Sequence, residues 1–113
     1  MARRPSAPKT AAEPAEAGRL FAVTRTRGVA WNPDLPLEEQ SGWTEHAAHM
    51  NGLEADGLVV AGGPLDNTPY VLLAMRAENA DVVRASLAAD PWEGSRVIET
   101  TRIAPWTLSL GRL

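Results

Sequence analysis

Cysteine is absent from the 113 residues of this chain. Disulfide bonds, thiolate metal sites and cysteine nucleophiles are therefore excluded. Long apolar runs are absent too, since no stretch approaches the roughly 20 residues that a membrane-spanning helix needs. We therefore expect no membrane partner. Because a chain without cysteine is compatible with a reducing compartment, we expect a cytoplasmic location.

Basic residues are few. The chain has 11 Lys and Arg against 14 Asp and Glu, which gives a formal net charge of −3. Nucleic-acid binding needs a clustered basic face that neutralises phosphates. The basic residues here are scattered except at the N-terminus, so we expect no nucleic-acid partner.

The first part of the chain differs from the rest in composition. Residues 1–17 are rich in Ala, Pro and Glu and have no large apolar side chain after Met1. Such a segment cannot bury enough surface to offset the entropy lost on ordering. We predict a flexible tail over residues 1–17 and one folded domain over residues 18–113, a common domain size.

The folded region alternates between strand and helix patterns in the order βαββαβ. Strands are predicted over 19–26, 58–61, 70–75 and 96–103, and helices over a segment ending before Gly57 and over 79–88. This order is typical of a ferredoxin-like α+β fold, with a four-stranded antiparallel sheet and two helices on one face. Only segment 104–108 remains to cover the other face, so we expect a homodimer in which two sheets pack together.

Two boundaries depend on glycine and proline. The first helix begins either at Pro36, which suits the first helical position, or near Ser41, because Gly42 would weaken a helix interior. The second strand is expected to stop at Gly62-Gly63-Pro64, which has the composition of a turn.

His46 lies on the apolar face of the predicted first helix. At about 100° per residue that face consists of Trp43, Ala47, Met50 and Leu53. His46 falls between Met50 and Leu53, so an imidazole that can change charge near neutral pH lies where the helix meets its core. Two interpretations remain open: a core histidine with satisfied hydrogen bonds, which is the commoner case, or a functional site.

Two other segments are candidates for the same site. Glycines in Gly62-Gly63-Pro64 would let backbone N–H groups approach a ligand. In Asp90-Pro91-Trp92 the proline keeps Asp90 out of helical geometry, so its carboxylate would be presented from an extended backbone. The plainer interpretations are a simple turn and the end of the second helix.

The remaining ionisable candidates are expected to lie outside the site. His49 falls at the edge of the helix face. His46 and His49 are three residues apart, but Glu45 points about 100° away, so we expect no metal site. Arg25 and Arg102 end strands and could bind an anionic group, although solvated charges are commoner at strand ends.

The order of these segments resembles the YciI-like (YCII-related) family. The resemblance is carried by His46, the run 58–65 that follows Gly57, and residues 89–92, and it covers nearly all of the chain after the tail. It implies a dimeric α/β barrel with a His–Asp pair in a pocket near the sheet. On that resemblance His46 matches the family histidine and Asp90 its Asp-Pro aspartate, while Trp92 stands where Phe is commoner.

The family includes a member that acts in dechlorination of a hydroxylated aromatic compound. Imidazole suits proton transfer near neutral pH, and a carboxylate on one ring nitrogen fixes its tautomer. We therefore expect His46 and Asp90 to perform acid/base chemistry on a small organic molecule, as a lyase, isomerase or dehalogenase-like enzyme. Gly62, Gly63, Pro64 and Trp92 would bind the ligand, and no cofactor is implied.

Two other functions stay open. One is a non-catalytic ligand-binding or accessory dimer, and the other is a cofactor-free oxygenase of the dimeric α/β-barrel type. A hydrogen bond between His46 and Asp90 beside an open cavity would favour chemistry. A His46 sealed among apolar side chains, with Asp90 facing solvent, would favour a core histidine.

Overall fold

The computed structural model describes residues 18–113, so the tail predicted over residues 1–17 lies outside the described residues. The elements are β1 (Arg19–Arg27), a 3-10 turn (Leu37–Glu39), α1 (Trp43–Ala55), β2 (Val59–Pro64), β3 (Tyr70–Ala77), α2 (Ala80–Ala88), α3 (Pro91–Ser95) and β4 (Ile98–Pro105). The four strands form one antiparallel sheet in the order β2-β3-β1-β4. This confirms the predicted ferredoxin-like α+β fold. No helix within residues 18–113 is long and apolar enough to cross a membrane.

The core lies between one face of the sheet and the helices. Alternate residues of β1 and β3 point to this face, and Val23 and Met75 are completely buried there. They pack against residues of both long helices, namely Leu53, Val83 and Leu87. Burial of each such side chain contributes about 1.5–3 kcal/mol to stability. A second buried cluster, centred on Trp92, Val97 and Ile98, packs at one end of the same layer.

The first helix begins at the later of the two predicted positions. Leu37–Glu39 forms a separate 3-10 turn, so the start at Pro36 is wrong. Gly42 precedes α1 with φ of +83°, a left-handed conformation that L side chains rarely adopt. A Cβ at this position would also lie 3.1 Å from Nε1 of Trp92. Gly42, which would have weakened a helix interior, therefore lies directly before α1 and sets where the helix begins.

The second strand does not stop at Gly62-Gly63-Pro64, contrary to prediction. These residues continue β2 along β3, after a register shift between Val59 and Ala61. Gly62 is needed because a Cβ there would collide with the buried side chain of Leu73. Glycine therefore marks a close approach of two strands here and not a turn.

The chain between α2 and β4 contains a helix that the sequence pattern did not predict. Pro91–Ser95 forms α3, with Pro91 at the first helical position, which proline favours. Arg96 ends this helix with φ of +65°, so β4 begins at Ile98 and not at Arg96. The connection between α2 and β4 therefore contains a short helix.

Two glycine substitutions in the same helical region separate these effects. We expect Gly42→Ala to lower the free energy of unfolding by about 1–2 kcal/mol, because alanine is strained at positive φ. Gly52→Ala, within α1 and with open space at its Cβ, should raise it by up to about 1 kcal/mol. Urea unfolding of both variants measures the difference. Equal shifts of the same sign would contradict this account of the helix start.

Candidate active site

His46 and Asp90 are in direct contact. From α1, Nδ1 of His46 lies 2.8 Å and 3.0 Å from the two carboxylate oxygens of Asp90. An ionised carboxylate only accepts hydrogen bonds, so Nδ1 carries the proton and donates it. Nε2 makes no hydrogen bond within residues 18–113, and the His46 side chain is 12% exposed. The free ring nitrogen is thus left available on the side away from Asp90.

Asp90 is held by its position before α3. Its backbone is extended, as the following proline predicted, and its Oδ1 accepts the Trp92 N–H at 2.9 Å. The side chain is fully buried, and burial alone would raise the pKa of Asp90. Hydrogen bonds from His46 and from the Trp92 N–H, together with the charges of His46 and Arg25, outweigh burial and hold that pKa below its ordinary value of 3.8.

Arg25 lies at the centre of the charged groups. Its Nη2 atom is 3.0 Å from Oδ2 of Asp90 and 2.9 Å from Oε2 of Glu93. Only 1% of the residue is exposed, so the expectation of a solvated strand-end charge is wrong. Phe21 and Val23 precede it on the same buried face of β1, and this period of two was the signal in the sequence for its burial.

Glu93 was not identified from the sequence. It lies in α3, and its Oε2 accepts hydrogen bonds from the backbone N–H of Thr100, at 2.9 Å, and from the Thr100 hydroxyl. These contacts to β4 hold the carboxylate against Arg25. A continuous series of hydrogen bonds and ion pairs therefore runs from Thr100 through Glu93, Arg25 and Asp90 to His46, and the Arg25–Asp90 link in it is an ion pair.

Trp92 fixes the plane of the histidine ring. The two rings are stacked, with centroids 3.9 Å apart and an interplanar angle of 9°. Trp92 is itself 1% exposed, and its Nε1 donates to the carbonyl of Ser41 at 2.7 Å. Trp43 packs beside the pair, with its ring 5.9 Å from each of the other two. The stack limits rotation of His46 and keeps Nδ1 facing Asp90.

A cavity of about 260 Å³ opens beside His46. We call it the His46 cavity. Strand β2 forms one wall of it with Gly62, Gly63 and Pro64, so these predicted ligand-binding residues lie near the His–Asp pair. The remaining lining is mostly apolar and consists of Leu37, Trp43, Met50, Val59, Val71, Leu73, Trp92 and Ile98, with Arg25, Asn51, Glu54 and Ala61. Five of the six residues predicted for a site therefore line one cavity, and the sixth, Asp90, is buried and contacts His46.

His49 lies apart from this group. Its Nε2 is 2.7 Å from the carbonyl oxygen of Ser86 in α2, to which it donates a hydrogen bond. The contact ties α1 to α2. His49 is therefore a structural histidine three residues away from the candidate catalytic one.

The comparisons with known proteins support the fold. No protein-family model matches the chain, and no curated protein matches it. A solved structure that is similar is the 5-chloro-2-hydroxyhydroquinone dehydrochlorinase TftG from Burkholderia phenoliruptrix AC1100, in complex with 2,5-dihydroxybenzoquinone. It is 22% identical with a TM-score of 0.50, over 81% of this chain and 95% of that one. At this level of identity the likeness supports the fold alone.

Arg25 and Glu93 are expected to act on Asp90 in opposite directions. Asp90 stabilises the fold above its ordinary pKa of 3.8, and this contribution is lost as the pH falls through its lowered pKa. Arg25→Met removes a positive neighbour, so it should raise the pKa of Asp90 and move the acid loss of stability to higher pH. Glu93→Gln removes a negative neighbour, so it should lower the pKa of Asp90 and move the acid loss of stability to lower pH.

Carbon NMR titration of the Asp90 carboxyl and urea unfolding between neutral and acidic pH measure these shifts. At neutral pH, Arg25→Met should cost about 3–5 kcal/mol because it leaves two carboxylates without their shared partner. The double variant should recover part of that loss, since it removes one charge of each sign. Shifts of the same sign in both single variants would contradict the opposed roles.

Proposed function

We propose that this chain is a small YciI-like enzyme that performs general acid/base chemistry on a small organic molecule. His46 is the acid/base group and Asp90 is its orienting partner. The observation that carries the proposal is the 2.8 Å hydrogen bond from His46 to buried Asp90, beside a cavity of about 260 Å³. Perturbed, buried ionisable groups at a cavity are characteristic of functional sites.

Asp90 determines what His46 does. Its lowered pKa keeps the carboxylate ionised, so it accepts a hydrogen bond from Nδ1–H. This contact fixes the tautomer of the neutral imidazole in which Nε2 carries the lone pair of the base. When Nε2 takes a proton from the ligand, the negative charge of Asp90 stabilises the imidazolium that forms. The same nitrogen then returns the proton to another atom. Stacking on Trp92 holds the ring in place through both steps.

The reaction needs a ligand with an acidic O–H or C–H group. In an isomerisation, the proton taken by His46 is returned to a different atom of the same molecule. In an elimination, the electron pair left by the proton forms a new double bond while a leaving group departs with its own bonding pair. TftG is named as a dehydrochlorinase, and loss of HCl is an elimination of this type.

The cavity suits a small, flat ligand. Its volume lies just below the range of about 300–1,000 Å³ that is usual for drug-sized ligands, which fits a single-ring molecule. We propose that Trp92 contacts one end of the ring and that Gly62, Gly63 and Pro64 hold its edge. Gly62 and Gly63 carry no side chain, and Leu73 fills the space that a Cβ of Gly62 would need. A ligand at this wall would therefore meet the strand backbone and the side chain of Leu73.

A pair of histidine variants tests the assignment. We expect His46→Gln to lower turnover about 10²–10⁴-fold, the usual contribution of a general acid/base. His49→Gln lies on the same helix and should keep most of the activity. The first assays are chloride release from 5-chloro-2-hydroxyhydroquinone and, for ligands with enolisable C–H groups, proton exchange in heavy water followed by NMR.

The outcomes distinguish the competing functions. Turnover by His46→Gln at the unaltered rate would overturn the proposal. Binding of ring compounds with neither turnover nor proton exchange would instead indicate a ligand-binding or accessory dimer. Oxygen uptake with electron-rich phenols would indicate the cofactor-free oxygenase.

We also propose that the protein is a homodimer through the sheet face that points away from the helices. Tyr70 and Leu72 lie on this face of β3 and are 46% and 39% exposed. Light scattering should give twice the mass of one chain. Leu72→Arg should yield monomers, whereas Val29→Arg, at a loop residue that is 82% exposed, should leave the dimer intact. A monomeric unaltered protein would contradict this arrangement.

A further inference from the structure

A second cavity adjoins the His46 cavity. It has a volume of about 180 Å³ and lies between the loop after β1 and the turn that joins β2 to β3. We call it the Arg27 cavity. The two cavities share four lining residues, Leu37, Pro64, Val71 and Ile98. A molecule in the His46 cavity therefore borders directly on the Arg27 cavity.

The Arg27 cavity is apolar except at one end. Its own walls include Trp31, Leu35 and Tyr70, and among the described residues Arg27 is the one charged residue that lines it. The guanidinium of Arg27 lies over the Trp31 ring, 4.4 Å from its centroid. This stacking holds the plane of the guanidinium while its N–H groups remain available at the edge.

Arg25 and Arg27, which lie on the same face of β1, differ in their partners. Arg25 already contacts the carboxylates of Asp90 and Glu93. The side chain of Arg27 makes no ion pair or hydrogen bond within the part of the chain that the structure describes. An anion entering the joined cavities would therefore meet an available guanidinium at Arg27 and not at Arg25.

Charge and spacing also set the direction of a ligand. Glu54 lines the His46 cavity and would repel an anionic group placed there. Arg25 and Arg27 pair with Thr100 and Ile98, which are alternate residues of β4. The two arginines therefore share a face of β1, and two residues of strand span about 7 Å. In an aromatic acid with a short side chain, the carboxylate lies at about this distance from the ring.

We propose that the Arg27 cavity is the second half of the ligand site and that the ligand is an aromatic acid. Its ring lies beside His46, and its carboxylate is bound by Arg27. Guanidinium and carboxylate match in geometry and form paired, charge-assisted hydrogen bonds, which apolar walls strengthen. The proposal rests on the His46 cavity being a ligand site, and it adds the substrate class to the proposed function.

The test compares an acid with its neutral counterpart. The probes are para-hydroxyphenylpropanoate and the matching primary amide, which differ in charge but little in size. Binding is followed by calorimetry and by tryptophan fluorescence, because Trp31, Trp43 and Trp92 line the two cavities. We expect the acid to bind at least about tenfold more tightly, as one charged hydrogen-bonded pair provides.

Two arginine variants locate the effect. Arg27→Gln should abolish the preference for the acid while leaving amide binding nearly unchanged. Arg102→Gln removes the same charge at a residue that lines neither cavity, so the preference should persist. Increasing salt should weaken acid binding and leave amide binding unaffected.

Equal binding of acid and amide, or a preference that survives Arg27→Gln, would overturn the inference. Absence of binding of both probes in the millimolar range would overturn it as well. These outcomes leave the proposed function standing, because that proposal is decided by the effect of His46→Gln on turnover and not by a carboxylate preference. Loss of the preference in both arginine variants would show a general charge effect and also contradict the role of Arg27.

Discussion

Two carboxylates share a single guanidinium inside this domain, and the site depends on that contact. Arg25 is 1% exposed and bridges Asp90 and Glu93 between β1 and α3. Charges removed from water are costly unless each has partners of good geometry. Asp90 therefore also accepts hydrogen bonds from the Trp92 backbone N–H and from Nδ1 of His46. Glu93 also accepts hydrogen bonds from the backbone N–H and the hydroxyl of Thr100. The need to satisfy two buried charges, Arg25 and Asp90, and the partly buried Glu93 constrains the positions of the surrounding elements.

The short helix α3 places three functional groups at once. Asp90 caps it, Trp92 lies in its first turn, and Glu93 follows directly. One turn suffices because its three groups together contact all the surrounding elements. Asp90 contacts α1 and β1, Trp92 contacts α1 and the loop before it, and Glu93 contacts β1 and β4. A helix this short has little stability of its own. The contacts of Asp90, Trp92 and Glu93 therefore stabilise this helix, and the helix in turn positions these three side chains.

The same strand supplies two arginines with different consequences. Arg25 has its charge compensated within the protein and acts on the ionisation of Asp90, whereas Arg27 lies over Trp31 at the edge of an apolar cavity with its N–H groups available. A buried charge that already has partners shifts the pKa of a neighbouring group, whereas a charge without a partner can bind an oppositely charged ligand. Proton transfer at His46 and anion recognition at Arg27 would then take place in two adjoining cavities that share four lining residues.

Local patterns in the sequence were enough to determine the order of the four strands and the two long helices, the inward face that carries His46 and the extended backbone of Asp90, because periodicity and the proline effect act over a few residues. They did not determine that Arg25 is buried or that Glu93 belongs to the site, since a buried charge depends on partners distant in sequence. They also led to the wrong prediction that β2 stops at Gly62. This residue continues the strand, and it must be glycine because the side chain of Leu73 in β3 fills the space that a Cβ would need. Only the tertiary structure decided these points, since a charge and a close backbone approach are tolerated according to what packs against them.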